Sequence, residues 1–261
     1  MKAKTSKVKL PRRILVVDVG GSHVKFRIGP RGKIEKFDSG PDMTAQQMVE
    51  GVSSAVSRSA YDAVSIGYPG LVFHGRIAAE PHNLGVGWVH FDFRKAFDKP
   101  VRLINDAAMQ AIGSYQGGRM LFLGLGTGLG ATLIVEGFVE PMEIGHMQYK
   151  HGRTFEDYVG ERGRQRMGTK KWRRVVRAVV DQLSRALEVD YVIVGGGNAR
   201  RFKQLAPNEY LGDNDNAFVG GLRLWECSAR PLWIDPHRIK SGRRGDGRPV
   251  TDPAERVARS G

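Results

Sequence analysis

The chain has 261 residues, 41% of them hydrophobic, enough for one large or two medium domains with a sizeable core, which excludes a disordered polymer. A formal net charge of +14 favours polyanionic partners such as nucleic acid, polyphosphate or acidic lipid, while no apolar run reaches the roughly 18 residues of a membrane span. The single cysteine, Cys227, excludes an internal disulfide and a multi-cysteine zinc site, and no apolar signal region follows the basic start, so a reducing, cytoplasmic location away from membranes is expected.

Residues 1–13 read as a basic tail. Residues 14–28, ILVVDVGGSHVKFRI, are a strand, a glycine turn and a second strand, with Asp18 interrupting the apolar run just before Gly20–Gly21. A turn at 29–32 leads to a short strand at 33–38. Thr44 with Gln47 is a capping box, and Ala45, Met48, Val52, Ala55 and Val56 recur at helical spacing, so 44–59 is a helix. A buried strand at 63–67 ends in the turn Tyr68–Pro69–Gly70. A strand at 76–79 then enters the loop 80–88, which holds His82 and Asn83. A short helix at 91–97 and a strand at 101–104 run into Asn105–Asp106, and a helix follows at 107–115.

Residues 120–135, MLFLGLGTGLGATLIV, repeat the strand–glycine turn–strand pattern, with Thr127 inside Gly124, Gly126, Gly128 and Gly130. Residues 138–150 read as irregular and carry Glu143 and His146. Thr154 with Asp157 caps a helix through about residue 166. The helix 169–189 has one apolar stripe, with Lys170, Lys171, Arg173, Arg174, Arg177 and Arg185 largely off it. A strand at 191–194 ends in Gly195–Gly196–Gly197, a helix begins near Asn198, and a last helix spans 217–225. Residues 227–261 show no periodic element and read as a disordered basic tail. Strands alternating with helices, twice over, give an α/β chain with two similar lobes, 14–105 and 106–226.

Ligands in such folds sit at the carboxyl ends of strands, where Asp18, Gly70, Asn105, Asp106 and the glycine turns fall. One glycine turn alone reads as an ordinary hairpin. Two of them, each with a polar residue inside, read as cradles for a phosphorylated ligand between equivalent half-molecules. Asp106 suits a general base for phosphoryl transfer and equally a helix N-cap. Glu143, His146 and Glu156 offer acceptors and a donor to a polyhydroxylated ligand, although a loop histidine and a first-turn helix acid would look the same. Gly195–Gly197 at a helix start suits a nucleotide. Lys25 either adds positive charge beside the first turn or lies on a strand face.

Taken together these residues resemble the ROK sugar-kinase family, of the actin/hexokinase-like (ribonuclease H-like) superfamily. DVGGSHVK (18–25) is similar to its first phosphate motif and GTGLG (126–130) to its second. NDA (105–107) is similar to its catalytic Asn-Asp-Ala, and EIGH (143–146) to its sugar-binding ExGH. HNLGVGW (82–88) resembles the sugar-contact loop and IVGGG (193–197) the adenosine-side motif. The resemblance implies a two-lobed fold with the active site in the interlobe cleft. It implies a glucokinase-like enzyme in which Asp106 is the base for the sugar 6-hydroxyl. Gly70, Asn83, Asn105, Glu143, His146 and Glu156 would contact the sugar. Gly20, Gly21, Ser22, Lys25, Gly126, Thr127, Gly128 and Gly195–Gly197 would hold phosphate or nucleotide, and Asp18 would help place Mg²⁺.

Many members carry a cysteine-rich zinc motif where this chain has HGRTF (151–155), so no structural zinc is expected. The zinc-less form, with GTKKWRR (168–174) in a basic helix, resembles the polyphosphate glucokinase branch, whose donor is polyphosphate, ATP or both. A kinase for another hexose or an N-acetylhexosamine, and a non-catalytic sugar-binding regulator, are the alternatives. The thirteen residues before the first strand are too few for a helix-turn-helix. Relatives suggest a homodimer, and no specific nucleic-acid partner is expected.

Overall fold

The computed structural model describes residues 11–213 and 215–226; the readings made for residues 1–10, for Cys227 and for the rest of the basic tail lie outside the described residues. The described chain divides into two compact units, 11–114 with 215–226, and 115–213. The two helices at 106–114 and 216–223 thus fall in the first unit, because their apolar faces cover its sheet. The sequence pattern alone divides the lobes at 105/106 and assigns both helices to the second.

In the first unit β1 (Ile14–Val19), β2 (His23–Ile28) and β3 (Glu35–Asp38) form an antiparallel meander, followed by α1 (Ala45–Ala55). Then come β4 (Ala63–Tyr68), a small hairpin of β5 (Val72–Phe73) and β6 (Arg76–Ile77), α2 (Phe93–Phe97), β7 (Val101–Asn105) and α3 (Asp106–Ser114). The sheet runs β3-β2-β1-β4-β7, with β1, β4 and β7 parallel. Alternation along β1 sends Leu15, Val17 and Val19 into a core with Met48, Val52, Trp88 and Phe97. Ile14 and Val16 enter a second core with Met109, Ala217, Phe218 and Trp225. A strand buried on both faces has one polar member, Asp18, and it lies at the carboxyl end.

α3 crosses the helix Asn216–Arg223 at backbone contact. A Cβ on Gly220 would lie 1.8 Å from the Met109 carbonyl oxygen, and one on Gly113 1.8 Å from that of Asn216. Neither backbone can yield without separating the helices. Gly220→Ala is therefore expected to cost about 3 kcal/mol, the upper range for overpacking. Denaturant unfolding of the two proteins measures it, and a change within about 0.5 kcal/mol would mean that the crossing tolerates a methyl group.

The second unit repeats the pattern. β8 (Arg119–Leu125), β9 (Leu129–Val135) and β10 (Phe138–Met142) form an antiparallel meander. A 3₁₀ turn (Ile144–His146), the short pair β11 (Gln148–Lys150) and β12 (Arg153–Thr154), and three helices follow: α4 (Phe155–Val159), α5 (Glu161–Met167) and α6 (Thr169–Ala186). β13 (Tyr191–Gly195) and β14 (Glu209–Leu211) complete the sheet β10-β9-β8-β13-β14, in which β8, β13 and β14 are parallel. This is the strand order of the first sheet, so the twice-occurring strand–turn–strand marks two copies of one topology.

α6 buries Trp172, Val176, Val179 and Val180 against Leu121, Leu123 and Val192. Each such side chain contributes about 1.5–3 kcal/mol. Like-charge neighbours such as Lys170 with Arg174 and Arg173 with Arg177 cost only about 0.2–0.5 kcal/mol per pair, so the helix carries its basic face without needing it.

Other sequence readings change as well. The helix expected to begin near Asn198 is a three-residue 3₁₀ turn, Ala199–Arg201, because the chain soon turns back into β14. Residues 138–150 are not irregular: β10 pairs along its length with β9. The helix expected from 154 to 166 breaks at Gly160, in extended conformation, where the Glu161 amide turns to the Gly126 and Thr127 carbonyls; only glycine fits there, since a Cβ would lie 2.6 Å from the Thr127 carbonyl oxygen. Among the described residues no helix is long and apolar enough to cross a membrane.

Candidate active site

In the first unit the carboxyl ends of β1, β4 and β7 bring the candidates together. Asp18 pairs in register with Lys25 on one side and Gly67 on the other, and Tyr68 pairs with Asn105. At the usual strand spacing the Asp18 and Asn105 backbones are about 10 Å apart, with β4 between them. Burial pushes the Asp18 carboxyl up to about 6, and the Lys25 ammonium pulls it part of the way back.

A raised carboxyl favours the folded state in its protonated form. Its contribution to stability is greatest below the ordinary value near 3.8 and is lost as pH rises through about 6. In metal-free buffer at pH 7.5, Asp18→Asn is expected to be more stable than wild type by up to about 3 kcal/mol, the difference shrinking toward pH 4.5. Urea midpoints at the two pH values check this, and a pH-independent difference would remove Asp18 as its source.

The turn after β1 is braced. The Gly20 amide donates to the His23 carbonyl at 3.0 Å. The Ser39 hydroxyl donates to the Gly20 carbonyl at 2.6 Å, and the Ser39 amide to that of Ser22 at 3.0 Å. Asn83 lies against the turn: a Cβ on Gly21 would stand 3.2 Å from the Asn83 Cβ. The loop that carries Asn83 is closed by Glu80, whose carboxylate accepts from the Trp88 and Val89 amides at 3.0 and 3.2 Å. Burial acts to raise the Glu80 carboxyl, but these amides outweigh it and hold it below the usual range.

Asn105 caps α3: its Oδ1 accepts from the Ala108 amide at 3.1 Å, and its Nδ2 donates to the Gly70 carbonyl at 3.0 Å. Asp106 is the first residue of the helix, with Oδ1 accepting from the adjacent Ala107 amide at 2.7 Å. Its backbone passes close to Gly67, whose Cβ would be 3.5 Å from the Asp106 Cα.

In the second unit His146 stands between two carboxylates, Nδ1 3.7 Å from Glu143 Oε2 and Nε2 3.9 Å from Glu156 Oε2. These gaps exceed hydrogen-bond length, and all three side chains are partly exposed. Two carboxylates and an imidazole thus stand together at the surface, a set of groups able to pair with hydroxyls. Glu156 also touches the glycine turn, since a Cβ on Gly128 would lie 2.5 Å from Glu156 Oε2.

The Gly126 amide donates to the Gly128 carbonyl at 3.2 Å, and the Gly126 and Thr127 carbonyls both accept from the Glu161 amide at 3.1 Å. Gly195 pairs with Gly124 across β13 and β8, which sets Gly195–Gly197 beside this turn. Ser39, Glu80, Glu161 and Asn198 fix these turns and loops, and the sequence does not single out any of the four for the site. The pairs Glu161–Arg164 and Asn198–Arg201, each three residues apart, were the available signal. Among the described residues no three or more His, Cys, Asp or Glu side chains are grouped to hold a metal.

Residues 14–165 match the profile of the ROK family, more than half of the chain, and the chain belongs to that family. It is 25% identical over 222 residues to the polyphosphate glucokinase of Mycobacterium tuberculosis (strain CDC 1551 / Oshkosh), covering 73% of this chain and 80% of that one. It is 28% identical over 140 residues to the N-acetylmannosamine kinase of Pasteurella multocida (strain Pm70), covering 48% of this chain and 47% of the relative, so the match spans about half the length of that protein. The crystal structure of the inorganic polyphosphate/ATP-glucomannokinase from Arthrobacter sp. strain KM superposes with a TM-score of 0.70 at 21% identity, covering 84% of this chain and 99% of that one. The fold is that of the ROK sugar kinases, actin/hexokinase-like.

Proposed function

We propose that the chain is a hexose kinase that transfers a phosphoryl group from polyphosphate or ATP to the 6-hydroxyl of glucose. One observation carries the reading: the Glu143–His146–Glu156 group, shaped for hydroxyls, touches a glycine turn shaped for phosphate, within a single unit. Asp106 is the base that takes the hydroxyl proton, while Asn105 caps α3 and holds the Gly70 loop. Asn83 adds a polar side chain beside the Gly20–Ser22 turn, which receives the donor phosphates.

Asp18 suits a magnesium ion. No hydrogen bond reaches its partly buried carboxylate among the described residues, and a cation would offset the burial that raises it. With no acidic cluster beside it, the ion would rest on Asp18 and donor phosphates, the usual mode for Mg²⁺. Bound there it would neutralise charge developing on the phosphoryl group.

The basic face of α6, with exposed Lys170, Lys171, Arg174 and Arg177, supports a polyanionic donor, and so does the similarity to a polyphosphate glucokinase. The second reading of the acceptor, N-acetylmannosamine, rests on the similarity to that sugar's kinase. The test is phosphorylation of glucose, mannose and N-acetylmannosamine with Mg²⁺, using ATP and long-chain polyphosphate in separate reactions. Glucose 6-phosphate formed with either donor supports the proposal. Turnover of N-acetylmannosamine alone changes the substrate, and no turnover with any pair removes the kinase reading.

A further inference from the structure

We infer that Asn198 is the positioning residue that sets the Gly126–Gly128 turn and the Gly195–Gly197 turn in one fixed relation, and so controls affinity for the phosphoryl donor. The inference rests on the reading above that these turns receive the donor.

Asn198 is 7% exposed, a buried amide with several partners on separate segments. Its backbone amide donates to the Leu125 carbonyl, the last residue of β8, at 2.9 Å. Its Nδ2 donates to the Gly126 carbonyl at 3.3 Å and to Glu161 Oε2 at 3.0 Å. Its Oδ1 accepts from Arg201 Nε at 2.9 Å. One side chain therefore links the glycine turn after β8, the first residue of α5 and the segment after β13. Both Nδ2 hydrogens and the oxygen are used, the arrangement that makes a buried amide orient its surroundings rather than merely fill space.

Glu161 completes the lock. Its amide bonds the Gly126 and Thr127 carbonyls from below, and its carboxylate meets Arg164 Nε at 2.8 Å as well as Asn198. The network continues toward the basic helix. Arg173 on α6 donates to the Arg201 carbonyl at 3.2 Å, and Arg177 to that of Gln204 at 3.0 Å. The segment that Asn198 anchors is thus pinned at its start to the turn and further on to the face that carries the exposed cations. None of these hydrogen bonds is made to the Glu143, His146 or Glu156 side chain, and the hexose group borders the network only where Glu156 Oε2 lies against Gly128, so the loss is expected to fall far more on the donor than on the hexose.

The test is binding and kinetics of Asn198→Ala in the full chain. Isothermal titration with a non-hydrolysable ATP analogue and, separately, medium-chain polyphosphate measures donor affinity. Titration with glucose measures the acceptor side. The expected result is at least tenfold weaker binding of whichever donor wild type binds, a matching rise in donor KM, and glucose affinity within twofold.

Glu161→Gln keeps the shape of the side chain while weakening the ion pair to Arg164. It is expected to show the same asymmetry at about a third of the size or more, and it is read in the same way should the alanine variant not fold. Donor affinity within twofold of wild type in either folded variant overturns the inference, and so does an equal loss of donor and glucose affinity. Wild type that binds glucose but neither donor overturns the reading of the turns as a donor site, and the inference with it.

Discussion

Asp106→Asn is expected to lower kcat by about 10²–10⁴, the range that a positioned general base contributes, while glucose affinity stays within twofold. The substitution is nearly isosteric. An asparagine retains an oxygen for the Ala107 amide, which Asp106 Oδ1 now accepts at 2.7 Å. Capping of α3 does not depend on position 106, because Asn105 accepts the Ala108 amide. The variant removes the proposed proton acceptor while keeping the shape of the side chain, and unfolding measurements should place it within about 1 kcal/mol of wild type. Steady-state turnover with saturating donor and a glucose titration decide the matter. A kcat within tenfold of wild type would take the role of base away from Asp106. A large loss of stability would return it to a structural part.

Much of this was legible in the sequence because its signals are local. β1 reads from its apolar run, α1 from the Thr44–Gln47 box that forms as expected, and α6 from its stripe. The repeated strand–turn–strand was visible because both copies bury alternate residues on two faces. β10 was not legible: it is a half-exposed edge strand containing Pro141, held by backbone pairing to β9, and side-chain patterning carries no trace of that. The break at Gly160 was hidden for a related reason, since the Glu161 amide there bonds the carbonyls of Gly126 and Thr127, more than thirty residues away. That Asn105 accepts the Ala108 amide and Asp106 that of Ala107 could not be read from the sequence, because adjacent Asn and Asp are both favoured caps. Asn198 and Glu161 were invisible as a pair because the bond between them joins two segments that no pattern in the chain relates.

Gly128→Ala is the second large effect, and it separates two meanings of one glycine. Read from the sequence, Gly128 belongs to a phosphate cradle. In the structure a methyl group at that position would lie 2.5 Å from Glu156 Oε2. The carboxylate would have to retreat by about 1 Å to restore van der Waals distance, a displacement that can cost on the order of 10²-fold where a reacting group must be held in place. Glu156 also faces His146, so its retreat loosens the group proposed to hold the hexose. The expected outcome is a loss of about 10²-fold in kcat/KM for glucose, expressed mainly as glucose KM, with donor KM changed less than threefold. A double-mutant cycle isolates the cause. In a Glu156→Ala background, which lacks the carboxylate, the methyl group has nothing to displace, and Gly128→Ala should add less than about threefold. Full additivity of the two losses would show that the methyl group acts on the turn itself, and a selective rise in donor KM would restore Gly128 to the cradle.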